Sequence, residues 1–141
     1  MKKEFSEELH RENDARAREA VIKYVNAKYP TSPVVNNNDT YGQDLVFVGG
    51  RGFIEVEVKK VWKGEHFPWS TLQIPRRKEK FITEVVPTFF FILNNELTHA
   101  IKVRGDDLIH CPIKTIDTIY TKNEEFFNVP RKYMEFLTLE E

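Results

Sequence analysis

Residues 44–59 read DLVFVGGRGFIEVEVK, and this stretch decides the fold. Two apolar runs flank three glycines and an arginine, the composition of two strands joined by a tight turn. Strands are expected over Leu45–Val48 and from Phe53 to about Val61, paired as a hairpin. Side chains alternate across a strand. Ile54, Val56 and Val58 therefore share one face, and Phe53, Glu55, Glu57, Lys59 and Val61 share the other. Neighbouring ionisable groups in that row stand roughly 7 Å apart. Such a row is either an edge strand facing water or a site. Asp44 opens the first strand, so the hairpin can carry it onto the same patch.

Upstream, Ala17, Ala20, Val21, Tyr24 and Val25 recur at helical spacing, which predicts a helix over 13–28. Asn13 is a candidate cap, although Leu9 extends the stripe and allows a start near Ser6. Pro30 and Pro33 close this region, and residues 36–43 are a loop by composition. Downstream, residues 62–73 read as an aromatic-rich connection. A helix is expected from Ile74-Pro75-Arg76 to Glu84, with Phe81, Ile82 and Val85 on its buried side. Thr88–Leu93 reads as a central strand, Asn94–Glu96 as a turn, and Leu97–Val103 as the antiparallel partner. A short helix over Asp106–His110, a strand at Thr118–Thr121 and a helix over 130–138 complete the expectation. This order suits one α/β domain over 1–141, a mixed β-sheet flanked by helices, and not a doubly wound dinucleotide fold.

Composition narrows the function classes. The chain has 141 residues, 40% hydrophobic and 30% charged, ordinary values for one globular domain. No run of 18 apolar residues occurs, so no membrane span is expected, and MKKEF is followed by no apolar stretch of the signal-peptide kind. The lone Cys111 forms no internal disulfide and reads as a buried thiol, in keeping with a reducing, cytoplasmic setting. Neither GxGxxG nor GxxxxGK[ST] occurs, so no nucleotide cofactor is expected. A net charge of −1 argues against a general polyanion binder. The distribution says more. Residues 51–81 carry eight Lys/Arg against four Glu, whereas residues 82–141 carry six basic against ten acidic side chains. One region can meet phosphate while the whole stays near neutral.

Two carboxylates on one patch can hold a hard divalent cation through oxygen. A nearby lysine can position water or offset charge developing on a phosphate, and the cation can activate water and polarise the phosphoryl group. Asp44, Glu57 and Lys59 meet this description.

Asp44 followed thirteen residues later by Glu57-Val58-Lys59 resembles the PD-(D/E)xK nuclease superfamily, which includes restriction enzymes and Holliday-junction resolvases. The resemblance covers about residues 10–93 by element order and three residues by motif. It implies a restriction-endonuclease-like sandwich, metal ligation by Asp44, Glu57 and the Val58 carbonyl, and water activation by Lys59. Gln43 stands where the name-giving proline would be, and Glu55 competes with Glu57 by sharing its face. The two-residue spacing to Lys59 favours Glu57. Some members add an acid from the first helix, for which Glu12, Asp14 and Glu19 are candidates, and some use a downstream glutamine, here Gln73. The implied activity is Mg²⁺-dependent (or Mn²⁺-dependent) endonucleolytic cleavage of DNA, branched or otherwise structured forms included, in some members by a homodimer.

Arg76, Arg77, Lys78 and Lys80 cluster at an expected helix start, where amides and basic side chains would favour DNA phosphate. Trp62 and Trp69 are candidates for stacking on frayed bases, or else packing residues. His66 lies near the proposed site in sequence and reads as an assistant to the chemistry or as an ordinary loop histidine. The competing functional reading is a non-catalytic nucleic-acid-binding or interaction protein on the same scaffold. A third is a structural domain whose charged strand faces solvent.

Overall fold

The computed structural model describes residues 7–39, 41–83, 85–117 and 122–139. Helix α1 (Glu7–Lys28) is followed by β1 (Val34–Asn36), β2 (Leu45–Phe47), β3 (Phe53–Val58) and β4 (Thr71–Pro75). A 3₁₀ turn (Arg76–Phe81) leads to β5 (Thr88–Leu93), β6 (His99–Arg104) and the short helix α2 (Gly105–Leu108). The tail holds β7 (Ile113–Ile116), β8 (Glu124–Pro130), a 3₁₀ turn (Arg131–Tyr133) and β9 (Glu135–Thr138).

These strands form two sheets. The larger is mixed, in the order β1-β2-β3-β5-β6-β9, and the smaller is antiparallel, in the order β4-β8-β7. β3 and β5 are the parallel pair at the centre of the large sheet. Their alternation sorts the core into two halves. Ile54, Phe91, Leu93 and Ala100 point to one face, where Ala17, Val21 and Val25 of α1 cover them. Phe90, Ile92, Ile101 and Val103 point to the other, where Leu72 and Ile74 of β4 and Phe127 and Val129 of β8 cover them. The layers are therefore helix, mixed sheet, small sheet. Fully burying one such side chain, Ile101 for instance, contributes about 1.5–3 kcal/mol.

The hairpin follows from its glycines. Gly49 and Gly50 take φ of 93° and 69°, values that an L side chain rarely adopts, and they turn the chain between β2 and β3. Gly105 serves a close approach instead: a Cβ there would lie 2.8 Å from the Thr88 carbonyl oxygen, so α2 packs directly on β5.

The hairpin, the α1 stripe, the β5–β6 pair and the short α2 agree with the sequence expectation. α1 begins at Glu7, so Asn13 lies within the helix and does not cap it. Three expectations are corrected. First, the helix expected over 74–84 is strand β4 followed by a six-residue 3₁₀ turn. Pro75 keeps extended backbone (ψ 132°) because it pairs with Phe126 of β8. Val85, expected on a buried side, is exposed. Second, residues 130–138 do not form the expected helix: only a single 3₁₀ turn (Arg131–Tyr133) precedes a strand. Glu135–Thr138 pairs with β6 and closes an edge that would otherwise be open. Third, the long helix α1 covers one face of the mixed sheet, and the other face is covered mainly by the small sheet, with only the short α2 placing Leu108 there. The expected strand at Thr118–Thr121 lies outside the described residues.

Candidate metal and phosphate site

β2 pairs with β3 only through Leu45↔Ile54 and Val46↔Phe53. Beyond Leu45 the chain peels away, and Asp44 takes over the pairing with its side chain. Its Oδ2 accepts the Val56 N–H at 2.8 Å, and its own N–H donates to Glu55 Oε2 at 2.8 Å. Asp44 is thereby fixed against β3. Gln43, in the place of the motif's proline, is buried and donates to the Phe81 carbonyl at 3.3 Å, tying the hairpin entrance to the 3₁₀ turn.

The direct neighbour of Asp44 is Glu55. It is buried, and Lys78 Nζ reaches its Oε1 at 2.6 Å. Burial, followed by the charge of Asp44, pushes the Glu55 carboxyl up to about 7, while Lys78 pulls against both. Glu57 stands one pleat further along the same face. Cross-strand positions offset in this way lie roughly 7–8 Å apart, within reach of long side chains. Glu57 is exposed and faces a small cleft with Lys59, Gln73 and Phe126.

Lys59 is half-buried, with its Nζ 5.1 Å from the centre of the Trp69 ring. Burial lowers its ammonium below the usual lysine value, and the nearby Glu57 charge opposes this. Its backbone N–H donates to the Leu93 carbonyl, on the β5 side. Backbone polar groups alternate along a strand. The Val56 N–H points to Asp44, so the Val58 carbonyl, two residues on, points to that same side, past the end of β2. Gln73 is a strand residue of β4. Its Nε2 donates to Asn128 Oδ1 at 2.8 Å and Thr71 Oγ1 at 3.1 Å, which leaves its carbonyl oxygen as the acceptor it offers the cleft.

Three of the four basic side chains of the expected phosphate cluster are ion-paired, and Lys80 lies over the Phe81 ring, 5.0 Å from its centre. Arg76 pairs with Glu125 (3.1 Å), Arg77 with Glu124 (2.6 Å) and Lys78 with Glu55. The acids of β8 that made the tail negative sit against the basic turn, and a six-residue 3₁₀ turn has no extended helix dipole to add. Trp62 is 1% exposed and cannot stack on a base, whereas Trp69 is 37% exposed. His66 is exposed and lines a different groove, with Trp62, His99 and Arg131. α1 covers the face opposite the acidic row, and Glu19 is exposed on it.

The residues fit a hard cation in their chemistry. Asp44 retains Oδ1 without a hydrogen bond among the described residues, Glu57 supplies a second carboxylate, and the Val58 carbonyl points the right way. The described residues contain no group of three or more His, Cys, Asp or Glu placed to share a metal, so a backbone oxygen would have to complete the set. No family model, curated protein or solved structure matches the chain. The functional reading rests on these residues.

Sequence reasoning missed the Lys78–Glu55 pair and the Lys59–Trp69 contact. The first was hidden because Lys78 was read as a phosphate contact at a helix start. Glu55 did carry a signal, since it shared the face of Glu57.

A pH effect follows from Glu55. Its folded carboxyl sits at about 7, above the ordinary 4.5, so the folded state holds the proton more tightly. The associated stability is complete below 4.5 and is lost as pH rises towards 7, by on the order of 3 kcal/mol. In metal-free buffer, the wild type should lose stability relative to Glu55→Gln between about pH 5 and pH 7.5. Urea midpoints at both pH values measure this, and a difference that does not change with pH contradicts the raised carboxyl.

Among the described residues, no helix is long and apolar enough to cross a membrane.

Proposed function

We propose that this protein is a divalent-metal-dependent endodeoxyribonuclease of the PD-(D/E)xK kind, hydrolysing phosphodiester bonds in branched or otherwise structured DNA. One observation carries the reading: Asp44 is bonded to β3 at the head of a row, Glu55-Glu57-Lys59, whose outer end opens on a cleft. A surface strand would need neither the backbone clamp on Asp44 nor a half-buried lysine.

Asp44 Oδ1, the Glu57 carboxylate and the Val58 carbonyl would hold Mg²⁺ or Mn²⁺. The bound cation would polarise a phosphoryl oxygen and lower the pKa of water. Lys59 would orient that water and offset charge on the phosphate. Gln73, locked by Thr71 and Asn128, offers an acceptor to the same water. Glu55 does not need to touch substrate. It holds the Asp44 backbone and is held by Lys78.

The test is a cleavage panel of linear, nicked, flap and four-way DNA with Mg²⁺ or Mn²⁺ and with a chelator. Product is expected on at least one form with metal and on none with chelator. Intact DNA throughout would leave the proposal without its activity.

A further inference from the structure

A second, wider groove adjoins the acidic cleft. It is about 320 Å³ and is lined by Lys59, Trp69, Ser70, Thr71, Gln73 and Lys114. Two lysines, two hydroxyls and an amide line it beside the apolar surfaces of Trp69 and Val61, and no carboxylate does. Lys59 and Gln73 line both hollows, so the two share a wall.

The small sheet builds this surface. Pairing sets Pro75 opposite Phe126 and Phe126 opposite Lys114, so these three form one row across the sheet. Residues directly opposite in an antiparallel pair share a face. The buried members of β4 and β8, Leu72, Ile74, Phe127 and Val129, point the other way into the core. Lys114 is thus presented on the outer face, exposed and without an ion pair among the described residues. It differs in this from Arg76, Arg77 and Lys78.

Trp69 is fixed at the rim. Arg131 Nη2 donates to the carbonyl of Trp69 at 2.9 Å and to that of Phe67 at 2.5 Å. The Phe67 ring packs edge-on to the indole at 5.1 Å. The segment is pinned from behind while the indole is left 37% exposed.

We propose that this groove holds a single-stranded stretch of nucleic acid beside the cleavage site, with Lys114 on a backbone phosphate and the Trp69 indole against a base. The inference rests on the nuclease reading above, and it places the strand on the outer face of the small sheet, away from the neutralised Arg76–Lys78 turn. An aromatic beside basic side chains is what a strand without base specificity needs. Stacking accepts any base, and the ammonium follows the backbone. Duplex DNA would present no free base to Trp69, so substrate with an unpaired segment is the form that fits.

The test measures binding without cleavage. A fluorescent oligothymidylate of about ten nucleotides, within the site sizes of single-strand binders, is titrated with the full chain in chelator, and anisotropy is read at several salt concentrations. Lys114→Ala should weaken binding and reduce the salt slope by about 0.7, one phosphate's share for a single strand. Trp69→Ala should weaken binding by about fivefold or more. Wild-type tryptophan emission should be quenched by oligonucleotide and not by inorganic phosphate, because Trp62 is buried and Trp69 is the exposed indole. Wild-type affinity and salt slope in Lys114→Ala overturn the proposal. So does quenching by inorganic phosphate equal to that by oligonucleotide, which would mark a free-phosphate site. Binding that meets these expectations without cleavage on any substrate supports the groove and removes the nuclease activity. Cleavage with binding indifferent to both variants does the reverse.

Discussion

Lys59→Ala should reduce metal-dependent cleavage by about 100-fold or more, the scale of losing a positioned group that handles a proton. The folded state should survive the change. Lys59 lies outside both core clusters, and its structural bond is a backbone one, from its N–H to the Leu93 carbonyl, which alanine keeps. The ammonium is half-buried, held over Trp69 and near Glu57, so truncation removes a placed charge from the cleft and little packing. Asp44→Asn is the matching variant. Asparagine still offers an oxygen to the Val56 N–H, so stability should change by no more than about 1 kcal/mol. What it loses is the anionic donor. Single-turnover cleavage and urea unfolding, measured on the same preparations, separate the two effects. Folded Lys59→Ala and Asp44→Asn proteins that cleave at the wild-type rate would sink the catalytic assignment.

The sequence was most legible where one local rule decided the outcome. Residues 44–59 alternate and carry glycines at the turn, so the hairpin and the shared face of Glu55, Glu57 and Lys59 could be read directly. The α1 stripe was legible for the same reason, since Ala17, Val21 and Val25 repeat at the helical period. The errors lie where distant pairing overrides local preference. Thr71–Pro75 alternates apolar and polar, which is a strand signal, yet the basic run after Pro75 read as a helix start. Glu135–Thr138 is strand because β6 needed a partner at its edge, and nothing within those four residues announces β6. The same blindness affected the site. The charges of Arg76, Arg77 and Lys78 were counted as available because their partners, Glu125, Glu124 and Glu55, stand 49, 47 and 23 positions away in the chain. Lys114 drew no notice because the sheet that aims it at the groove is assembled from three separate segments.

Trp62→Ala should cost about 3–5 kcal/mol of stability, the range for removing a large buried aromatic. Trp62 is 1% exposed and sits between the sheets with Phe67, Leu72, Ile74 and Ile92. Its ring meets Phe67 edge-on, with centroids 5.4 Å apart and planes at 85°. Such a pair adds roughly 0.5–1.5 kcal/mol beyond the area it buries. The Trp62 carbonyl accepts the Asn95 N–H at 2.7 Å, but that bond is made by backbone and survives the substitution. The loss is therefore a packing loss. Trp62→Phe should be much milder. The buried Nε1 of Trp62 has no hydrogen-bond partner among the described residues, and phenylalanine removes that unpaired donor, whose burial costs about 1–3 kcal/mol. This gain offsets part of the lost ring volume. Urea unfolding of the three proteins measures the order, wild type and Trp62→Phe close together and Trp62→Ala well below. A loss under about 1 kcal/mol for Trp62→Ala would mean that the indole is not in the inter-sheet core. The consequence extends to the site, because Phe67, held by Trp62 on one side, packs against Trp69 on the other. Trp62→Ala should therefore loosen the indole beneath Lys59 and weaken oligonucleotide binding, although Trp62 itself touches neither the cleft nor the groove.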